Sequence, residues 1–486
     1  MPDSNSDATL RLPASVEVAP GGPVVGVIRP PGSKSLTNRA LICAAFADGC
    51  STLSGALQSE DTKVMIDALR SIGIGIVVSD GGKTLVVDGR SPGLSAGNDA
   101  DDSTKLQELY VANSGTTVRF LAAALSAAGG RYRLVGVERM HQRPIGDLVD
   151  ALKMVVHGDI ETVSPNGCPP VDIRSSGWQG HSLEVGGAVS SQYLSGLMMA
   201  APLAGKNDHI RDAGADNESN VQQPIRVLVR GELVSRPYVD MTATVMRSFG
   251  ANVSLVEEGV QGEHSLVVAV QGGGYSATPY EIEPDASAAS YFWAAAAITG
   301  GKVTVEGLSR AAMQGDVGFC AVLEKMGCDV HYADHSIRVE GRSLRGVDVD
   351  MNEISDTVQT LAVVALFADS PTRVRGVAHN RFKETDRIGD LARELRKLGA
   401  KVDEHQDGLT VHPIEGGIDA MPVRSVVIET YHDHRMAMSL SLAGLRIPGV
   451  RILNPACTGK TYPEFFADLE ALIGRPHHWR SRVEQC

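Results

Sequence analysis

Residues 120–137 read FLAAALSAAGGRYRLVGV, an Ala-rich apolar run, a double glycine and a short alternating run. Alanine and leucine favour helix, glycine stops it, and alternation of apolar and polar residues suits a half-buried strand. The same succession recurs at 40–57 (ALICAAFADGCSTLSGAL), 193–210 (YLSGLMMAAPLAGKNDHI), 291–308 (YFWAAAAITGGKVTVEGL), 360–377 (TLAVVALFADSPTRVRGV) and 436–453 (MAMSLSLAGLRIPGVRIL). The turns are spaced by roughly 70 to 95 residues, too far apart for a solenoid and long enough for a small α/β unit.

A second, amphipathic helix recurs between these copies. It ends at a glycine before another strand in ALRSIGIGIVV (68–78), VMRSFGANVSLV (245–256), VLEKMGCDVHYA (322–333) and ELRKLGAKVDEH (394–405), with ALKMVVHGDIETV (151–163) as a degraded version. The chain therefore reads as an α/β protein of six strand–helix–strand–helix units, with generic α/β alternation as the plainer alternative. Pro30-Pro31 and Glu283-Pro284-Asp285 split the six into three and three. The expected division is residues 1–30 plus 284–486 as domain I and 31–283 as domain II, hinged near these prolines. The polar stretch Asn207–Arg230 reads as an inserted surface loop.

A chain of 486 residues suits two cores, and 43% hydrophobic with 21% charged residues is a globular profile. The formal charge of −13 argues against a nucleic-acid grip. Seven scattered cysteines without a C-x-x-C pair argue against a disulfide framework or zinc site. No long apolar span and no leader are visible, so a cytoplasmic protein without membrane attachment is expected.

The starts of the Ala-rich helices carry the chemistry. PPGSKSLTNRA (30–40) offers free backbone N–H groups, hydroxyls and Lys34, with Ser35 and Arg39 one turn apart; it lacks Walker A spacing. Asn113-Ser114-Gly115-Thr116-Thr117, followed by Arg119, and Ser190-Ser191-Gln192 repeat the design. Each alone suits an ordinary helix cap; three in succession point to anion binding. Asp356 opens SDTVQTLAVVALFA and could be an N-cap. If HNRFKETDRIGD is helical, Lys383 and Arg387 share a face beside Glu384, a pattern that also suits a solvated charge network. His434 and Arg435 start another apolar helix, and Lys460 lies in CTGKTYPEF. His432 and His434 lack a third metal ligand at suitable spacing, so no metal is expected. Arg139 and Arg143 sit on a loop closed by Pro144. Gathered in one cleft, these cations would hold two polyanions, with Asp356 and Glu384 available for proton transfer.

PGSKSLTNRAL, NSGTTVRFL, RMHQRPIGDLVDAL, VSSQYLSGLMMAAPLA, SRPYVDMT, DASAASYFWAAAAI, MQGDVGFCAVLEKMG, RFKETDRI, YHDHRMAM and CTGKTYPEFF, in this order from about residue 30 to 467, resemble the signature segments of the EPSP synthases. The resemblance implies two globular domains, each of three βαβαββ-like repeats, the inside-out α/β barrel of the enolpyruvyl transferases. It implies transfer of enolpyruvyl from phosphoenolpyruvate to the 5-hydroxyl of shikimate 3-phosphate by a monomer, with no cofactor. It assigns Asp356, Glu384 and Lys34 to catalysis. It assigns Lys34, Ser35, Arg39, Ser190, Ser191, Gln192, Ser235, Tyr238, Asp356, His379 and Lys383 to shikimate 3-phosphate, although His379 stands where some relatives carry Asn. Lys34, Asn113, Gly115, Thr116, Arg143, Gln192, Arg387, His434, Arg435 and Lys460 fall to phosphoenolpyruvate. Sensitivity to glyphosate is expected, because Gly115 puts no side chain into that pocket. The related UDP-N-acetylglucosamine enolpyruvyl transferases would show a reactive loop cysteine and other motifs in place of KETDR and DHRMAM. A non-catalytic anion-binding relative would have lost Asp356 and Glu384, which are both present.

Overall fold

The computed structural model describes residues 13–90, 105–188, 190–204, 223–260, 263–414, 417 and 425–481. Two sets of helices alternate along the chain: α1 (Lys34–Ala45), α2 (Glu60–Ser71), α3 (Gly115–Ala128), α4 (Gly146–Lys153), α5 (Ser191–Ala200), α6 (Arg236–Ser248), α7 (Ala286–Thr299), α8 (Phe319–Met326), α9 (Val358–Ala365), α10 (Gly389–Lys397), α11 (His434–Ser441) and α12 (Phe465–Ile473). The odd-numbered helices are the Ala-rich ones. They are buried along nearly their whole length, because small and apolar side chains surround the axis on every side. The even-numbered helices bury one face only.

In the first half, α1, α3 and α5 pack on one another; in the second, α9 touches both α7 and α11. Close approach needs small residues: a Cβ on Gly196 of α5 would stand 3.1 Å from the Arg119 carbonyl oxygen of α3. The glycine stops after the amphipathic helices, Gly73, Gly250, Gly327 and Gly399, take φ from 82° to 112°, where a side chain is strained.

Among the described residues, six sheets flank these helices, and all share one pairing pattern, a parallel pair extended by two antiparallel neighbours. Gln107–Tyr110 runs parallel to Gly130–Val135, which pairs antiparallel with Val171–Trp178 and through it with Val156–Thr162. In the second half, Val25–Ile28 lies parallel to Lys302–Glu306, and Ser15–Glu17 pairs antiparallel with both Val450–Leu453 and His478–Arg480. No described sheet closes on itself. The barrel implied by the resemblance is a set of open sheets around buried helices, not a hydrogen-bonded cylinder.

One core gathers residues from Leu36 to Ile282; the other joins Val16, Val18 and Val24 to residues from Ala286 to Leu469. The chain crosses between them twice, side by side: the Ser33 N–H reaches the Glu283 carbonyl at 2.8 Å, and the Asp285 N–H reaches that of Pro31 at 2.8 Å.

Two sequence expectations need correction. Ile225–Arg230, read as the end of a loop, is a strand parallel to Ser182–Gly186; its IRVLVR alternation buries every second residue. The rest of the insertion up to residue 222 lies outside the described residues, as does Gly205. The segment around Lys383 is not a continuous helix either: a short 3-10 turn, Ala378–Phe382, ends just before it. Asp386 Oδ1 accepts from the N–H groups of Ile388 and Gly389 (3.1 and 3.0 Å), so α10 starts only there and Lys383 stays extended.

Candidate active site

Five of the six odd-numbered helices start with a side-chain cap: Ser33, Ser114, Ser190, Asp285 and Asp433 each accept a backbone N–H of the first turn. The exception is α9. Asp356 does not cap it, contrary to the simple reading; its carboxylate turns to Arg435 Nη2 (2.7 Å), Arg387 Nη1 (3.3 Å) and the Tyr238 hydroxyl (3.1 Å). Tyr238 belongs to the other core, so this contact joins the two halves.

Further bonds cross the same gap. Ser235, held at φ 55°, donates its N–H to Asn352 Oδ1 (3.0 Å), and its hydroxyl lies 3.2 Å from that of Ser355. Lys460 Nζ donates to the Asn113 carbonyl (2.8 Å). Arg139 spans two consecutive carbonyls, those of Lys383 and Glu384, at 3.1 Å each. The extended backbone at Lys383 presents both oxygens to one guanidinium.

Glu384 sits at the centre, buried, with Arg387 Nη2 at 2.9 Å, Lys460 Nζ at 3.1 Å and Arg143 Nη2 at 4.0 Å. Burial alone would push its carboxyl up; Lys460, Arg387 and Arg143 outweigh burial and hold it well below the usual range. The same contest, with Arg435, Lys383, Arg387 and Lys34 winning, keeps Asp356 ionised. Lys383 shows the reverse balance: burial pulls its ammonium down to about 8 against the pull of Asp356. Burial, reinforced by Arg435, holds His434 well below its ordinary value, so the ring is neutral. Burial and Lys383 take His379 down to about 3.

The other expected residues surround this centre. Lys34 Nζ is 3.3 Å from Asp61 Oδ2. Arg143 Nη1 donates to the Asn113 carbonyl (2.9 Å), beside Gly115 and the buried Thr116. Gln192 Oε1 accepts from Arg119 Nη1 (2.6 Å), and Ser191 is buried next to it. His379 Nε2 lies 3.5 Å from the Ser235 hydroxyl. Ser35 lines a small cavity with Ser33, Tyr238, Asp285, Ser287 and Asp316.

Arg39 stands apart. It is buried and donates to Thr242 Oγ1 (2.7 Å), the Ser35 carbonyl (3.0 Å), Ser195 Oγ (3.2 Å) and the Tyr238 carbonyl (3.3 Å). It ties the start of α1 to α5 and α6. His432 and His434 also diverge: the first is exposed and bonded to Asn454, the second buried.

Several site residues carried no role in the sequence reading. Arg119 was visible behind NSGTT and Asp433 inside YHDHRMAM. Asp316 lay inside MQGDVGFCAVLEKMG without a role, and Asp61 gave no local signal, because only the fold brings them to Tyr238 and Lys34.

Gly115 offers a direct test of the pocket. A Cβ there would fall 2.5 Å from Arg143 Nη2 and 3.0 Å from Arg119 Nη1. Gly115→Ala must displace a guanidinium, so KM for a small anion held by Arg143 should rise about tenfold with a smaller change in kcat, as loss of ground-state binding does. Steady-state kinetics of the variant check this.

Among the described residues, no helix is long and apolar enough to cross a membrane, and no three His, Cys, Asp or Glu side chains gather as a metal site. A family profile, EPSP synthase (3-phosphoshikimate 1-carboxyvinyltransferase), matches residues 18–469. The 3-phosphoshikimate 1-carboxyvinyltransferase of Yersinia ruckeri is 42% identical over 462 residues, covering 94% of this chain and 98% of its own. That of Serratia proteamaculans is 41% identical over 457 residues, with coverage of 94% and 98%. Among solved structures, an EPSP synthase from Acinetobacter baumannii superposes with a TM-score of 0.74 at 26% identity, covering 96% of this chain and 99% of that one. The enolpyruvyl transferase NikO from Streptomyces tendae shares the fold, with a TM-score of 0.69 at 17% identity over 96% and 99% of the two chains. With the fold, the cationic cleft and these similarities together, the chain belongs to the EPSP synthase family.

Proposed function

We infer that the chain transfers the enolpyruvyl group of phosphoenolpyruvate to the 5-hydroxyl of shikimate 3-phosphate, releasing phosphate. The observation that carries this reading is the buried Glu384 set among Arg387, Lys460 and Arg143, with Asp356 held by Arg387 and Arg435 nearby. One acid among cations that belong to two halves of the molecule suits protonation of an anionic enol as the halves come together.

Arg143, Arg387, Arg435, Lys460 and Lys34 bind the phosphate and carboxylate of phosphoenolpyruvate, beside Asn113, Gly115, Thr116, Gln192 and His434. Ser35, Arg39, Ser190, Ser191, Gln192, Ser235, Tyr238, His379 and Lys383 position shikimate 3-phosphate, with Arg39 anchored by Thr242 and Ser195. Neutral His379 and His434 suit hydrogen bonding rather than charge pairing. Asp356 takes the hydroxyl proton as the oxygen attacks the enol carbon. Glu384 delivers a proton to the methylene carbon, giving a tetrahedral intermediate, then removes one from the resulting methyl group as phosphate leaves. The anions of phosphoenolpyruvate draw Lys460, Arg387 and Arg143 away from Glu384; its proton affinity rises and the carboxyl becomes a competent acid. Closure of the halves about the paired crossings at Pro31 and Pro284 excludes water. The protein acts as a cytoplasmic monomer on small molecules, a reading supported by the acidic charge and by a site complete within one chain. Glyphosate binds in the phosphoenolpyruvate pocket, and its inhibition should be competitive with phosphoenolpyruvate.

Phosphate release from purified protein with phosphoenolpyruvate tests the reaction. Release should require shikimate 3-phosphate; release without it, or none with it, overturns the reading.

A further inference from the structure

Tyr238 carries one phenolic proton but meets two carboxylates. Its oxygen is 3.1 Å from Asp356 Oδ2 and 3.2 Å from Asp316 Oδ2. The two acids are treated differently by their surroundings. Asp356 is paired with Arg435 and Arg387. Asp316 is 4% exposed, has no ion-pair partner among the described residues, takes one hydroxyl from Ser287, and leaves Oδ1 buried without a hydrogen bond. Burying an ionised carboxylate with so little compensation is costly, so this acid holds a proton readily.

We propose that Asp316 stores the proton that the acceptor hydroxyl loses, receiving it from Asp356 through Tyr238. This rests on the assignment of Asp356 above. Asp356 alone is a weak base, because the two arginines that orient it also lower its proton affinity. A relay removes that conflict. The hydroxyl O–H bond breaks as its oxygen bonds to the enol carbon, and the proton goes to Asp356. Asp356 passes a proton to the Tyr238 oxygen, and Tyr238 passes its own to Asp316. The net change is one proton moved from the hydroxyl to Asp316, with both intermediaries restored; the proton returns to solvent after product leaves. Asp316 touches no substrate in this scheme and acts through Tyr238 as a positioning residue.

The groups around Asp316 set its working range. Asp356 and the cap residue Asp285 raise its proton affinity, Ser287 and Arg435 lower it, and burial, the largest influence, raises it, so the carboxyl titrates at about 7. An acceptor must be unprotonated, so kcat should fall as pH drops through about 7.

Asp316→Asn should lower kcat about 100-fold, in the range that one proton-transfer group supplies. It should keep shikimate 3-phosphate affinity and lose the acid limb of the pH profile, and Asp316→Glu should restore part of both. In Tyr238→Phe the solvent isotope effect should shift from a multiple-proton to a single-proton dependence on deuterium content, a readout that decides the matter even if Asp316→Asn does not fold. Wild-type kcat and an intact acid limb in Asp316→Asn, or an unchanged proton inventory in Tyr238→Phe, would overturn the relay. Wild-type turnover dependent on shikimate 3-phosphate, measured alongside, separates such a failure from a failure of the assigned reaction.

Discussion

Glu384→Gln should leave a folded protein that binds phosphoenolpyruvate and barely turns over. Glutamine keeps the size of the side chain and an acceptor oxygen for Lys460 Nζ and Arg387 Nη2, which stand 3.1 and 2.9 Å from the carboxylate. It loses the transferable proton. General acid–base groups supply about 10²- to 10⁴-fold, so kcat should fall by that much. KM for phosphoenolpyruvate should stay level or fall, because one negative charge leaves an anion site. Phosphate-release kinetics with a binding titration separate the two effects, and near-normal kcat would remove Glu384 from proton transfer.

Arg387→Met should give the largest loss of stability. The guanidinium is 2% exposed and serves three carboxylates: Nε donates to Asp433 Oδ2 (2.7 Å), Nη2 reaches Glu384 Oε2 (2.9 Å), and Nη1 reaches Asp356 Oδ1 (3.3 Å). Asp433, fully buried, also caps α11 through the Arg435 N–H at 2.8 Å. Burial lowers the proton affinity of Arg387, but Asp433, Glu384 and Asp356 outweigh it and raise it above the ordinary value. Removing one partner of a buried ion network costs about 3–5 kcal/mol, because the charges left behind are uncompensated. The thermal midpoint of the C-terminal half should drop by about 10 °C, and phosphoenolpyruvate binding should weaken with it. Arg387→Lys should recover little, since one ammonium cannot meet three carboxylates in a fixed fork. A midpoint close to wild type would show that Asp433 finds another partner. The same network sets the acid sensitivity. Asp356 and Glu384 titrate below their ordinary values, so their stabilisation is present above those values and is lost as pH falls beneath them.

What the sequence made legible follows from which signals are local. The Ala-rich runs mark the six buried helices because small apolar residues have little other use at that density. The glycine stops mark the ends of the amphipathic helices because the required φ excludes most side chains. The phosphate-friendly starts at Ser33, Ser114 and Ser190 are cap chemistry, which lies within three residues of the helix. The misreadings came where a distant partner or a single side chain overrides the local rule. Asp356 is drawn from its capping position by Arg435, 79 residues away. Lys383 and Arg387 lose their helical face because Asp386 restarts the helix after them. Arg39 shows a contact that the motif alone did not reveal: Thr242 and Ser195, from α6 and α5, anchor it beside Ser35 and Tyr238. Asp316 lies in the segment MQGDVGFCAVLEKMG, yet no role could be read for it there because its meaning depends on a tyrosine 78 residues away.

The paired crossings at Pro31 and Pro284 bear on biogenesis. Ser15–Glu17 and Val25–Ile28 leave the ribosome first, yet their sheet partners lie beyond residue 301 and beyond residue 449. Among the described residues, every strand within 31–283 finds its sheet partners inside that half, so its sheets need not wait for the second half of the chain. A gene split after residue 283 would separate a fragment whose described sheets within 31–283 keep all their strands from one whose sheets have left two strands on the other polypeptide.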